Sequence, residues 1–513
     1  VSLTPFKAPA PHVLAELLLV GLAALVVATL GALADAYPVE SFFYLAKARS
    51  LAQGHLLHVN WGDGVDRRFF WGYSMALALL IRVLGDASVW VLAAALHAWT
   101  GFVLARIFRM LPLDKSAQLG ALALSLFSPV VLWWSTMPEA EPLLLAFAAN
   151  AAFFALRYRA GASRRELGWA AAMSGAALLT RVEGLFVVVG VVALCGPRVI
   201  RERRRWLAAA GAALALGPEL VHAYYTAFYA KPASALAASV DAARTAHEAP
   251  VIDGFLAIAG APFWPAFLFS GEPWLYARHF PAVLTALQGL VLALYAISAL
   301  AALISGFFRR SFASASAAAL CAYALLHAVL FHAHERFGYA VAPLAALLFA
   351  WGAQKTFAWA GEAARARAVL GVCLAAAAVS GVYGVRTSQM HVAQLRSQAS
   401  GRDLKAVAQV ARQALAPGQT VVTDLGPAFA YYLSAHVYFD RAAPDLYEDQ
   451  VPSGEAGRVF LDRHRVGAIV STRTPKEVIA EFALAPGEFK ELSAPGATLI
   501  ALELPVQERA AAK

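Results

Sequence analysis

Residues 13–34 read VLAELLLVGLAALVVATLGALA, and residues 35–44 follow as DAYPVESFFY. The first stretch is long and apolar enough to cross a hydrocarbon core, which takes about 20 residues of helix. The second places two acids, Asp35 and Glu40, where that helix leaves the membrane. Ala32-Leu33-Ala34 has the form of a signal-peptidase site, but the apolar run exceeds an ordinary signal-peptide core, so the segment reads as a retained anchor.

The rest of the chain extends this pattern. Its 513 residues are 60% hydrophobic and only 15% charged, with a mean hydropathy of +0.60. Soluble domains carry about 25% charged residues, so a water-soluble enzyme is excluded. The three cysteines, Cys195, Cys321 and Cys373, lie inside apolar runs and form no disulfide framework. Further spans are expected near 88–105, 117–134, 141–156, 166–180, 183–197, 206–226, 282–306, 312–331, 338–353 and 368–386, about eleven in all. Thr180, Arg181 and Glu183 divide 166–197 into a tight helix pair, because an unpaired charge is expensive at the bilayer centre.

Charge orients the bundle. With Lys7 inside, alternate loops carry Arg106, Arg109 and Lys115; Arg157, Arg159, Arg164 and Arg165; Arg198, Arg201 and Arg203–Arg205; Arg309 and Arg310; then Lys355, Arg365 and Arg367. Only Asp114, Glu166, Glu202 and Glu362 oppose them. This is the positive-inside bias, so the net charge of +9 marks a cytoplasmic face and implies no nucleic-acid partner. An odd number of spans puts everything after Arg386 outside. The high alanine and arginine content fits a bacterial inner membrane.

Two outer segments are large. Residues 35–87 hold an amphipathic helix over 42–52 and an apolar helix over 70–84 that is expected to lie along the interface. Residues 226–281, broken by Pro232, Pro250, Pro262, Pro265 and Pro273, read as a re-entrant or lid element. Beyond about residue 390, helical stretches at 403–415, 454–465 and 475–483 alternate with strand-like Thr420–Val422, His436–Phe439, Ala468–Val470 and Thr498–Leu502. The fold expected is mainly α: a polytopic membrane helix bundle over 1–389, with a small extracytoplasmic α/β domain over 390–513. That domain shows no phosphate loop, nucleophile elbow or metal spacing, and its Asp424 and Asp440 read as turn or strand-end residues.

Five charged groups fall on the expected outer face, where function in a membrane protein is best sought. Asp35 and Glu40 can supply a partly desolvated general base, or can cap the helix that starts near Ser41. Glu139 and Glu141 flank Ala140 between two spans, and Glu141 can cap the second. Arg181 can bind a phosphate or pair with Glu183 or Glu141. His332, His334, Glu335 and Arg336 offer either a metal-ligand set or, on the better reading, an arginine that grips phosphate bidentately. Asp63, Asp66, Arg67 and Arg68 stand beside the aromatic run Phe69-Phe70-Trp71, which suits contact with membrane lipid phosphates.

In order along the chain come an acid after span one, Tyr44-Leu45-x-x-Ala48-Arg49-x-Leu51-x-x-Gly54, Gly72-Tyr73, Thr136-Met137-Pro138-Glu139-Ala140-Glu141-Pro142, Leu179-Thr180-Arg181-x-Glu183-Gly184, and Glu335-Arg336-Phe337 leading to Pro343. This series resembles the GT-C superfamily of membrane glycosyltransferases, in the branch of protein O-mannosyltransferases and lipid A aminoarabinose transferases. The resemblance implies an inverting transferase that takes a sugar from a polyprenyl-phosphate carrier at the outer leaflet. It implies a catalytic acid four residues before Tyr44, at Glu40, with Asp35 as the alternative. The second-loop acid falls on Glu141, and the late Arg-Tyr motif on Arg336-Phe337, where phenylalanine replaces tyrosine. No cofactor follows firmly, and a divalent metal stays open.

The chemistry agrees with the charged groups. An acceptor hydroxyl, on a lipid, a glycan or a protein, must lose its proton to a positioned carboxylate as it attacks. Arg336, with Arg181 or Arg67, would stabilise charge on the departing phosphate. The alternative is a transporter or flippase of lipid-linked saccharide, which would show ionisable groups near the midplane and broken helices.

Overall fold

Apolar helices need partners for one stripe and lipid for the other, and the first helix shows both. In the computed structural model, α1 (Pro11–Leu33) buries Glu16, Val20, Ala23, Val27 and Gly31 along one face, and Leu14, Leu18, Leu22 and Leu25 point outward. The structure describes residues 10–34, 37, 39–54, 71–161, 163–181, 183–201, 251–264, 280–308, 311–330, 335–398, 403–433, 435–440 and 451–502.

The helices that follow are α2 (Val39–Ala52), α3 (Trp71–Leu84), α4 (Ser88–Arg109), α5 (Lys115–Leu126), α6 (Pro129–Ser135), α7 (Glu141–Arg159), α8 (Arg164–Thr180) and α9 (Gly184–Arg201). Next come α10 (Val251–Gly260), α11 (Ala282–Phe308), α12 (Phe312–Leu330), α13 (Gly338–Thr356) and α14 (Glu362–Gln398). Helix α1 packs along α4, and α7 packs on α4, α8 and α9; α5 packs against α13 and α14, and α11 against α12 and α13.

Where they are described, the stretches expected to span are helical except at Phe127 and Ser128 and at the end residues Ala34 and Glu183; 206–226 lies outside the described residues. Five described helices are long and apolar enough to cross a membrane: α1, α4, α11, α12 and α14. The stretch read as one span over 117–134 is a pair, α5 and α6, bent by 45°. Phe127 and Ser128 separate the two, and Pro129, which can start a helix but not continue one, opens the second. Helix α7 carries Glu141, Arg157 and Arg159 at its ends, and α13 carries Gln354 and Lys355 at its end; these polar ends leave them short of a span by composition.

One expectation differs from what is observed. Helix α2 is not amphipathic: Ser41 through Ala48 are all buried, because the helix lies between α3 and the sheet-bearing segment. Within 226–281, the described residues hold the regular helix α10, packed on α12 with Ala257, Ile258 and Phe263 in the core. Helix α3 exposes Met75, Leu79 and Val83 and buries Tyr73, Ser74 and Leu77.

Helix α14 runs on past residue 390, where Thr387, Ser388, His391 and Val392 remain buried. Beyond it, α15 (Leu404–Ala414), α16 (Gly426–Leu433), α17 (Gly454–Arg463) and α18 (Pro475–Glu481) flank a five-stranded sheet. The strands β1 (Thr420–Thr423), β2 (Val437–Phe439), β3 (Val466–Ser471), β4 (Phe489–Ala494) and β5 (Ala497–Leu502) lie in the order β2-β1-β3-β5-β4. The first three are parallel; β5 runs antiparallel to β3 and forms a hairpin with β4. Alternation divides the two faces. Val421, Ala468 and Val470 pack with α15 and α16, whereas Val422 and Ile469 pack with Leu461 of α17 and Val478 of α18.

Candidate active site

Charges meet at one end of the bundle. The chain between α6 and α7 carries Glu139, which is fully buried, and Glu141 opens α7 with its carboxylate also buried. Glu141 does not cap α7. Its Oε1 accepts a 2.7 Å hydrogen bond from Arg181 Nη1. Arg181 stands just past the end of α8 in extended conformation (φ −159°, ψ 154°), which turns its side chain back toward α7. Its Nε and Nη2 donate to the two oxygens of Glu183 at 3.1 and 3.0 Å. Arg336, in the turn between α12 and α13, approaches Glu141 Oε1 at 3.9 Å.

Burial sets the electrostatics. It pushes the Glu183 carboxyl up, but the Arg181 charge and hydrogen bonds more than reverse this and hold it below the ordinary value. Burial alone would lower the Arg181 guanidinium; Glu141 and Glu183 raise it, so it stays charged. The Tyr44 hydroxyl, buried on α2, is pushed well above its ordinary value by burial, with Arg181 and Arg336 opposing and Glu139 and Glu141 adding. A phenol coupled to all four charges sits among them, protonated. Its ring meets that of Tyr73 edge-on at 5.6 Å.

Helix α2 enters the cluster at its first turn, where Ser41 Oγ donates to Glu139 Oε1 at 2.6 Å. The backbone of Glu40, the preceding residue, is thereby fixed at the edge of the cluster. Nearby, Ser135 Oγ and the Tyr339 hydroxyl hydrogen-bond at 2.8 Å, tying the end of α6 to the start of α13. Two motif glycines permit these approaches. A Cβ on Gly184 would strike the backbone of Leu178, and one on Gly338 would strike Ala261.

Five of the expected residues thus come together: Tyr44, Glu139, Glu141, Arg181 and Arg336. Asp35, Arg67, Arg68 and His334 lie outside the described residues, as do the side chains of Glu40 and Glu335. Ser41, Ser135 and Tyr339 join the site without having been singled out; each lies inside or beside a quoted motif, but only folding supplies its partner. Among the described residues no group of three or more histidines, cysteines or acids is placed to hold a metal ion. At the far end of the helices, Arg109 pairs with Glu16, Arg157 with Glu166 at 3.2 Å and Arg365 with Asp114 at 3.2 Å. The site and the main basic loops therefore occupy opposite ends.

No family model and no curated protein matches the chain. Several chains of solved structures do, two of which bear on the fold. One is ArnT from Cupriavidus metallidurans in the apo state, with a TM-score of 0.59 at 15% identity over 94% of this chain and 97% of that chain. The other is ArnT from the same organism bound to undecaprenyl phosphate, with a TM-score of 0.57 at 14% identity over the same shares. This chain has the ArnT fold. The likeness to ArnT extends over nearly the whole of both chains, so it takes in the sheet-bearing segment as well as the helices.

Proposed function

We propose that the protein is an inverting membrane glycosyltransferase that moves a sugar from a polyprenyl-phosphate carrier to an acceptor hydroxyl at the outer face of a bacterial inner membrane. The observation that carries this reading is the buried Glu139–Glu141–Arg181–Glu183 cluster at one end of the bundle, with Arg336 beside it and the start of α2 tied into it through Ser41. ArnT's binding of undecaprenyl phosphate supports a lipid-phosphate donor.

In this reading Glu40 removes the acceptor proton, with Asp35 as the alternative base. Arg181, saturated by two carboxylates, holds Glu141 in place. Arg336 meets the departing phosphate, and its charge opposes the negative charge that builds there; Arg67, Arg68 and His334 are further substrate-binding candidates. Tyr44 and Glu139 line the sugar side, and Glu335 is a further substrate-binding candidate. The residues beyond about 390 form an extracytoplasmic domain over the site. The bend between α5 and α6 is the one feature that favours a transporter of lipid-linked saccharide. Against it, the described charges of the site gather at helix ends.

The test is transfer of labelled sugar from a series of synthetic polyprenyl-phosphate donors by wild type, Glu40→Gln and Asp35→Asn. Turnover of one donor, abolished in Glu40→Gln alone, supports the reading and the register. Loss in Asp35→Asn alone moves the base. Binding of lipid-linked sugar without any turnover would replace the transferase by the transporter.

A further inference from the structure

A groove of about 530 Å³ runs along the outside of the bundle between α1, the α5–α6 pair and α14. Leu22 forms one wall, Ala378 the other, and Phe127 and Leu132 lie on either side of the α5–α6 bend. Its only polar lining side chains are Arg386 and Gln389, both on α14 and both exposed. Among the described residues Arg386 has no ion-pair or hydrogen-bond partner, and no acid lines the groove.

The position of this charge is informative. Arg365, on the same helix, pairs with Asp114 at the basic end of the bundle. Arg386 is 21 residues further on; at 1.5 Å per residue that is roughly 30 Å, about one hydrocarbon thickness. It therefore sits at the opposite headgroup level, on the face where the positive-inside rule supplies no reason for an arginine. An apolar trough that ends in a guanidinium and an amide has the polarity of a lipid: chain below, anion above.

The volume suits a single lipid chain. At roughly 30 Å³ for a methylene-sized unit, the share of liquid that one water takes, the groove holds about 18 such units. That is one fatty acyl chain; a polyprenyl chain is several times longer. We propose that this groove binds an anionic glycerophospholipid, with one acyl chain along α1 and α14 and its phosphate on Arg386 and Gln389. The bound chain covers the α5–α6 bend, and Ser388, beside Gln389, touches Thr136 at the end of α6 through hydroxyls 3.2 Å apart. The lipid thus braces the segment that leads into Glu139 and Glu141.

Native mass spectrometry of the purified full-length chain tests this, with palmitoyl-oleoyl phosphatidylglycerol, the matching phosphatidylcholine, undecaprenyl phosphate and inorganic phosphate as probes. Phosphatidylglycerol should be retained in preference to the other three. Arg386→Gln should weaken it about tenfold, the usual worth of a charged hydrogen bond. Ala378→Trp, which fills the trough from an exposed helix position, should abolish retention while the lipid-free melting temperature stays unchanged. Should Arg386→Gln fail to fold, Ala378→Trp alone decides. Equal retention by wild type and Ala378→Trp overturns the proposal, and so does phosphatidylcholine bound as tightly as phosphatidylglycerol. Displacement by undecaprenyl phosphate or by inorganic phosphate would likewise remove the phospholipid from the groove.

Discussion

Arg181 balances two buried carboxylates, so its loss should be costly in a specific way. Arg181→Met leaves Glu141 and Glu183 buried without their counter-charge, which typically costs about 3–5 kcal/mol. Thermal unfolding of the purified variant should show a large drop. Adding Glu141→Gln and Glu183→Gln should recover much of it, because the orphaned charges go too. A triple variant as unstable as Arg181→Met would refute this account. The same pair gives a pH dependence. Folding lowers the Glu183 pKa, so its contribution is complete above the ordinary glutamate value of 4.5 and is lost as pH falls through the folded value. Acid melting curves of wild type and Glu183→Gln should therefore converge only below that range. Acid, arginine and glycine at fixed spacing made the cluster's members legible in the sequence. What stayed illegible was pairing over long separations: Ser41 with Glu139, and Ser135 with Tyr339, are 98 and 204 residues apart.

Among elements, glycine separates close packing from mere flexibility. Gly338 starts α13 against Ala261, where an added Cβ has no room, and it follows the turn that carries Arg336. Gly338→Ala should cost about 1–3 kcal/mol through overpacking and should impair the site. Gly168, inside α8, has nothing near its missing Cβ, so Gly168→Ala should stabilise by about 0.5–1 kcal/mol. Paired melting curves check both signs; stabilisation by both substitutions would show the contact at Gly338 to be slack. Apolar runs of span length placed most helices, since a run that long has no other stable conformation in lipid. The bend at Phe127 was hidden because hydropathy continues across it, although Pro129 stood in plain view. Helix α16 and strand β4 were missed for the converse reason. The first is only eight residues of mixed character, and the second is an edge strand with a largely exposed face.

At the scale of the whole molecule, the sheet-bearing segment and the helices α2 and α3 share one core. Phe42 of α2 meets the rings of Tyr431 and Tyr432 of α16, each at 5.8 Å. Arg49, a motif residue on α2, lies over the Tyr431 ring at 4.0 Å and donates to its carbonyl at 2.5 Å. Val421, Val470 and Leu499 of the sheet belong to the same cluster as Tyr44 and Leu45. Helix α2 is thus held from one side by α3 and from the other by α16, and its first turn delivers Ser41 to Glu139. Weakening the contact with α16 should therefore loosen the site without disturbing the distant helices. Tyr431→Ala should cost about 3 kcal/mol locally, as for other large buried aromatics. Hydrogen exchange should then speed up at the amides of α2 while those of α1 and α4 keep their protection, and activity should fall with it. Unchanged protection in α2 would mean that α3 alone fixes the helix. Faster exchange throughout α1 and α4 would mean that the shared core supports the entire bundle.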